Sequence, residues 1–219
     1  MYRRQFIAGL MLATSPLAIT HTVAQPAPAP GAIPAPMYLS MAAKGGMLLE
    51  ETARDAFNKT QDPRVKKFSR AEVVEQVNLT DKLMRSTPPG LMAGAAGGMG
   101  PGGVVGGLVA APFAVAGAAV GAAGTLLGVG GQPVPMTSDA QKADMIARLQ
   151  STAPGPQYDA LFVQAQLMGH QEAYAIHGNY AQNGDDPALR RVARGSLPLI
   201  RLHISQLSRM QGMMRGAQG

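Results

Sequence analysis

Apolar residues return at helical spacing in two regions of the chain, separated by a stretch where the spacing is lost. In the first region Leu39, Ala43, Gly46, Ala53 and Phe57 share one face, with Glu50 on it, and predict a helix from about 36 to 59. Asp62-Pro63 then supplies an N-cap and a first-turn proline. Val65, Phe68, Leu79 and Leu83 carry a second helix from 63 to about 85, and Pro88-Pro89-Gly90 ends it. In the second region Ser138 and Gln141 form a capping box that opens a short helix to about 150. Pro154-Gly155-Pro156 breaks the chain before a third long helix, about 158–181. Asn183-Gly184 reads as a turn, Asp185-Asp186-Pro187 repeats the Asp-Pro start, and a fourth helix runs to about 213 with a kink expected at Pro198. β-branched residues are sparse and alternation is absent, so no strand is predicted. The pattern predicts an all-α, up-down four-helix bundle of two helical hairpins, 37–86 and, with the short helix, 137–213.

The insert between them, 87–136, carries no charged residue and is dominated by Gly, Ala and Val. Gly102/Gly106 and Gly117/Gly121 are small-residue pairs four apart, the spacing that lets helices approach closely in lipid. Residues 104–129 are long enough to cross a bilayer. Both hairpins of one bundle must lie on the same side of a membrane, however. The insert is therefore either a hairpin, turning near Ala111-Pro112, or a non-spanning loop. Residues 91–131 are the expected surface for inner-membrane contact or self-association.

The chain opens with Arg3-Arg4-Gln5-Phe6-Ile7, which fits a twin-arginine export motif, followed by a modest apolar run to Ile19. Cleavage after Ala24 gives a signal peptide over 1–24 and leaves a Pro/Ala linker over 25–36. The periplasm is the expected location. There is no cysteine, which excludes disulfides, thiolate ligands and thiol nucleophiles. The signal removes two arginines and no acid, leaving 17 of the 19 Lys and Arg against 13 Asp and Glu. With no tryptophan and no dense basic cluster, this mild positive charge is not a nucleic-acid signature.

Glu72 and Glu75 fall between the apolar residues of the second helix. A carboxylate on a buried face is costly unless a metal, a proton or a base pairs with it. If both hairpin turns lie at one end, Glu50, Glu72, Glu75 and His170 share a layer, with His203 about one turn away. On the third helix Asp159, Gln166, His170 and His177 form a polar row. Glutamate and histidine meeting inside a bundle suit first-row transition metals, so Glu72, Glu75, His170, His203 and Glu50 are the candidate ligands of a divalent ion. No Glu-x-x-His occurs, which disfavours a dinuclear redox centre and leaves a mononuclear one. The competing reading puts both glutamates at the bundle edge with their carboxylates in water, and makes His203 a structural histidine. No catalytic residue is predicted. There is neither a serine elbow nor a phosphate loop.

Several segments together resemble the bacterial domain of unknown function 4142 family. They are Tyr38-Leu39-Ser40-Met41-Ala42-Ala43, Asp62-Pro63-x-Val65-Lys66-x-Phe68 and Glu72-Val73-Val74-Glu75-Gln76 in the first half. In the second half they are Tyr158-Asp159, His170-Gln171-Glu172, Asp185-Asp186-Pro187-Ala188-Leu189 and Leu197-Pro198-Leu199 with His203. The resemblance covers about 37–86 and 137–211. It implies an exported, ferritin-like bundle and no established activity. The expectation is thus an exported bundle of unknown role, more a binding protein than an enzyme, holding a metal weakly. The alternative is a structural protein attached to the envelope, or to other copies, through the insert.

Overall fold

The computed structural model describes residues 33–88, 91, 125–127 and 133–216. The expected signal peptide, most of the linker and most of the insert lie outside the described residues. The described chain is all-helical apart from one short strand pair. Its helices are α1 (Ala35–Lys59), α2 (Pro63–Ser86), α3 (Asp139–Ser151), α4 (Pro156–Asn183) and α5 (Pro187–Gly216). The pair is β1 (Thr125–Leu127) against β2 (Pro133–Pro135), antiparallel, with Leu126 opposite Val134. No strand was expected there, because three residues are too few to display alternation. Two prolines are tolerated in β2 because each strand of a two-stranded pair is an edge.

Local chemistry fixes the helix starts. Asp62 accepts from the amides of Arg64 and Val65, and Asp186 accepts from those of Ala188 and Leu189. Ser138 and Gln141 complete both bonds of a capping box. The α5 helix continues through Pro198.

Directions follow from contacts at the ends. The Ile33 amide donates to the carbonyl of Asn183 at 2.8 Å, and the Ile33 carbonyl accepts from Asp185 at 3.2 Å. The start of α1 therefore lies at the end of α4. At the opposite end the Thr60 hydroxyl donates to Asp159 at 2.5 Å, and Arg64 reaches the Met213 sulfur at 3.3 Å. The α1–α2 and α4–α5 turns thus sit at opposite ends, not at one end as expected. Apolar periodicity says which face a helix buries, but not which way it runs, and the connection from α2 to α4 is long enough for either. The chain must climb the height of α2, about 36 Å for its 24 residues. Helix α3 makes the last part of that climb, against α1 and α4.

Helix α1 packs on α2 and α4, and α5 packs on α4 and α2. The apolar core is split. One cluster, around Ala53, Phe68, Leu149, Phe162 and Leu207, fills the Thr60 end. Another, around Tyr38, Leu83, Ile176, Tyr180 and Leu189, fills the Ile33 end. Glu72, Gln76, Gln166, His170 and His203 are buried at heights between them. Each fully buried large apolar side chain contributes about 1.5–3 kcal/mol. The two clusters therefore hold the helices in register around a polar layer that contributes little packing itself. No described helix is long and apolar enough to cross a membrane.

Candidate metal centre

Three helices supply the polar layer. On α2, Glu72 and Gln76 are four residues apart and share a face; on α4, Gln166 and His170 do the same. His203 comes from α5. Glu72 is fully buried, and the two imidazoles are nearly so.

The distances converge on one carboxylate oxygen. Glu72 Oε2 lies 3.2 Å from His170 Nε2 and 3.0 Å from His203 Nδ1. The two ring nitrogens lie 3.0 Å from each other. The three donor atoms all fall within 4.8 Å of one another. Despite these separations Glu72 Oε2 accepts no well-directed hydrogen bond, and neither does Glu75 Oε2.

Each donor has an outer partner. The Gln166 carbonyl stands 2.8 Å from His170 Nδ1. A carbonyl can only accept, so Nδ1 carries a proton, and Nε2 is the ring nitrogen that faces inward. Gln166 is itself anchored, its amide donating to the Leu49 carbonyl and the Thr52 hydroxyl. Gln76 Nε2 donates to Glu72 Oε1 at 2.8 Å and leaves Oε2 turned inward. His203 Nε2 faces Glu75 Oε2 at 3.0 Å. Glu75 is only partly buried and spans from solvent to the far side of the ring. Phe68 stands edge-on to both imidazoles, 6.1 Å from His170 and 5.1 Å from His203 between ring centroids, and walls off one side.

Burial on its own would raise the Glu72 carboxyl, but the two imidazoles, His170 first, outweigh it and hold the carboxyl well below its usual range. For His203, burial disfavours the cation, and the adjacent Glu72 carboxylate, with Glu75, overcomes it and raises its value. Burial raises Glu75, partly offset by His203. Without a metal the layer therefore favours the carboxylate at Glu72 and the cation at His203.

Of the sequence candidates, Glu72, Glu75, His170 and His203 come together and Glu50 does not. Glu50 bonds Arg54 at 2.9 and 2.7 Å on the same helix. The expected stripe on α1 was rotated toward its edge. Leu48, Leu49 and Thr52 are buried beside Ala53, while Phe57 is exposed. His203 lies in the layer itself, without the expected one-turn offset. Asp159 belongs to the bundle end, bonded to Thr60. His177 bonds the Tyr38 hydroxyl through Nδ1 at 2.9 Å. The orienting roles of Gln76 and Gln166 went unread in the sequence; the signal available was a glutamine four residues from each of Glu72 and His170.

A family model described as Domain of unknown function (DUF4142) matches residues 116–210. The match takes in His170 and His203, begins within the Gly/Ala insert, and leaves Glu72 and Glu75 outside. No curated protein and no solved structure matched the chain.

Proposed function

We propose, from the premise that the chain belongs to the domain of unknown function 4142 family, that it is an exported four-helix bundle that binds one divalent transition-metal ion through Glu72, His170 and His203. The long connection from α2 to α4 favours a ferritin-like order, since those bundles carry one crossover between two hairpins. The export motif at Arg3-Arg4 supports a periplasmic location. The observation that carries the metal reading is the convergence of three buried donor atoms, with Glu72 and His170 each oriented by a hydrogen-bonded partner. Two imidazoles and one carboxylate form a set suited to ferrous iron or zinc, with coordination positions left open. A bound ion would supply Lewis acidity and, as iron, access to redox change. The protein's own part is to orient the His170 ring through Gln166, to hold Glu72 through Gln76, and to set the Glu75 carboxylate beside the outer nitrogen of His203. Such outer partners typically govern metal affinity by about 10–100-fold.

The test is metal content and thermal stability after loading the mature protein with Fe(II), anaerobically, or with Zn(II). One equivalent should bind, and an excess of 100 times the Kd should stabilise by about 2.7 kcal/mol. Glu72→Gln should abolish the rise. Glu75→Gln should leave stoichiometric binding with affinity lowered about 10–100-fold. No thermal shift with either ion, or an equal shift in Glu72→Gln, would sink the reading.

A further inference from the structure

The polar layer has unlike neighbours along the bundle axis. Toward the Thr60 end the Phe68 ring covers both imidazoles. Toward the Ile33 end lies a cavity of about 20 Å³ lined by residues of α1, α2, α4 and α5, among them Gly45, Gly46, Gln76, His170, Ile176 and His177. About 10–15 Å³ of such space already admits a water molecule, so this void suits a ligand of one or two heavy atoms.

Small residues on α1 open it. A Cβ on Gly45 would meet nothing within 4 Å, and one on Gly46 would come 3.1 Å from Gln76 Oε1. Glycine in a helix interior costs about 0.5–1 kcal/mol relative to alanine. At Gly45 no steric contact requires it, and what its missing side chain leaves is space. The cavity touches two members of the layer, the His170 ring and Gln76, the residue that orients Glu72. Its far wall is His177, which burial keeps neutral by pulling its value down to about 4. The other lining side chains are mostly aliphatic, so apart from Gln76 and the centre itself the void offers an entering molecule few polar partners.

We infer that this cavity receives the outside ligand of the metal centre and selects, by size, a molecule of one or two heavy atoms, of the class of dioxygen and nitric oxide. The inference rests on the metal reading above. It goes further by giving the open positions a direction and a size limit.

The probe is nitric oxide added to the anaerobic, Fe(II)-loaded protein, followed by electron paramagnetic resonance of the iron–nitrosyl, with azide as the three-atom comparison. The wild type should form the nitrosyl and bind azide weakly or not at all. Gly45→Val should retain its iron and lose at least tenfold in nitric oxide affinity. Gly45→Ala, whose added methyl fits the open space, should shift in the same direction if the valine variant folds poorly. Equal nitrosyl formation in wild type and in iron-retaining variants, or azide binding as tight as that of nitric oxide, overturns the inference while leaving the metal site intact. Iron bound by the wild type with no nitrosyl overturns it too. Failure of the wild type to bind iron removes the metal reading and this one with it.

Discussion

A fully buried carboxylate touching two imidazoles makes the protein's stability depend on proton occupancy at two side chains. Glu72 is lowered from the ordinary 4.5, so its contribution is complete above that value and is lost as pH falls through the lowered one. His203 is raised from the ordinary 6.5, so its contribution is complete below that value and fades as pH rises through the raised one. The metal-free protein should therefore gain most from this pair between about pH 4.5 and 6.5. Urea melts across that range and a unit or two beyond should show the plateau and both falling sides. Glu72→Gln should flatten both sides, because it removes the titrating acid and the charge that raises His203. A variant with the wild-type profile would mean the pair does not couple folding to protons. Gly184 tests a different constraint at the same scale. Its φ is ordinary for any residue, but a Cβ there would stand 2.6 Å from the Tyr180 ring. That ring stacks on Tyr38, with centroids 3.8 Å apart. Gly184→Ala should cost about 1–3 kcal/mol through displaced packing, read from the denaturation midpoint.

Among the elements, α3 owes its place to lysines. Lys142 Nζ lies 2.7 Å from Glu172 Oε1 and donates to the Thr137 carbonyl; both side chains of that ion pair are almost wholly buried. Lys59 donates to the carbonyls of Leu149 and Gln150 at the helix's end, and Lys44 pairs with Asp139 at its start. Losing one member of a buried ion pair typically costs about 3–5 kcal/mol, because the other charge stays buried alone. Glu172→Gln should approach that cost. Lys142→Met combined with Glu172→Leu should recover most of it in urea denaturation. A double variant as unstable as the single one would argue that packing of the aliphatic stems, not the stranded charge, sets the cost. Helix boundaries were legible because Asp62, Ser138 and Asp186 announce them through capping chemistry that is local in sequence. The lysine contacts were not, since Lys59 and Leu149 meet only after the crossover folds. The rotation of α1 was misread for a related reason. Glycines and alanines dilute the apolar contrast along it, so a face one residue off fits the pattern nearly as well.

At the scale of the whole molecule, the layer of Glu72 and His170 was found from an incorrect arrangement of the turns. His170 stands at the middle of the 28-residue α4, so reversing that helix leaves its height unchanged. His203 is off-centre in α5, and reversal is what brings it level with Glu72. Direction was not legible because it is decided by contacts between chain ends, such as Ile33 with Asn183, that carry no periodic signal. The crossover sets up the last prediction. Every side chain of the candidate centre lies outside 87–136, and α3, itself outside that insert, makes the final climb to α4. Replacing residues 92–124 with a Gly/Ser linker of about ten residues should leave the metal-induced thermal shift intact. The shorter closure should also favour the folded state by about 1 kcal/mol. Calorimetry with and without Zn(II) reads both quantities. Loss of the metal shift in a variant that still melts cooperatively would mean the insert helps form or shield the centre, and the site could no longer be assigned to α2, α4 and α5 alone.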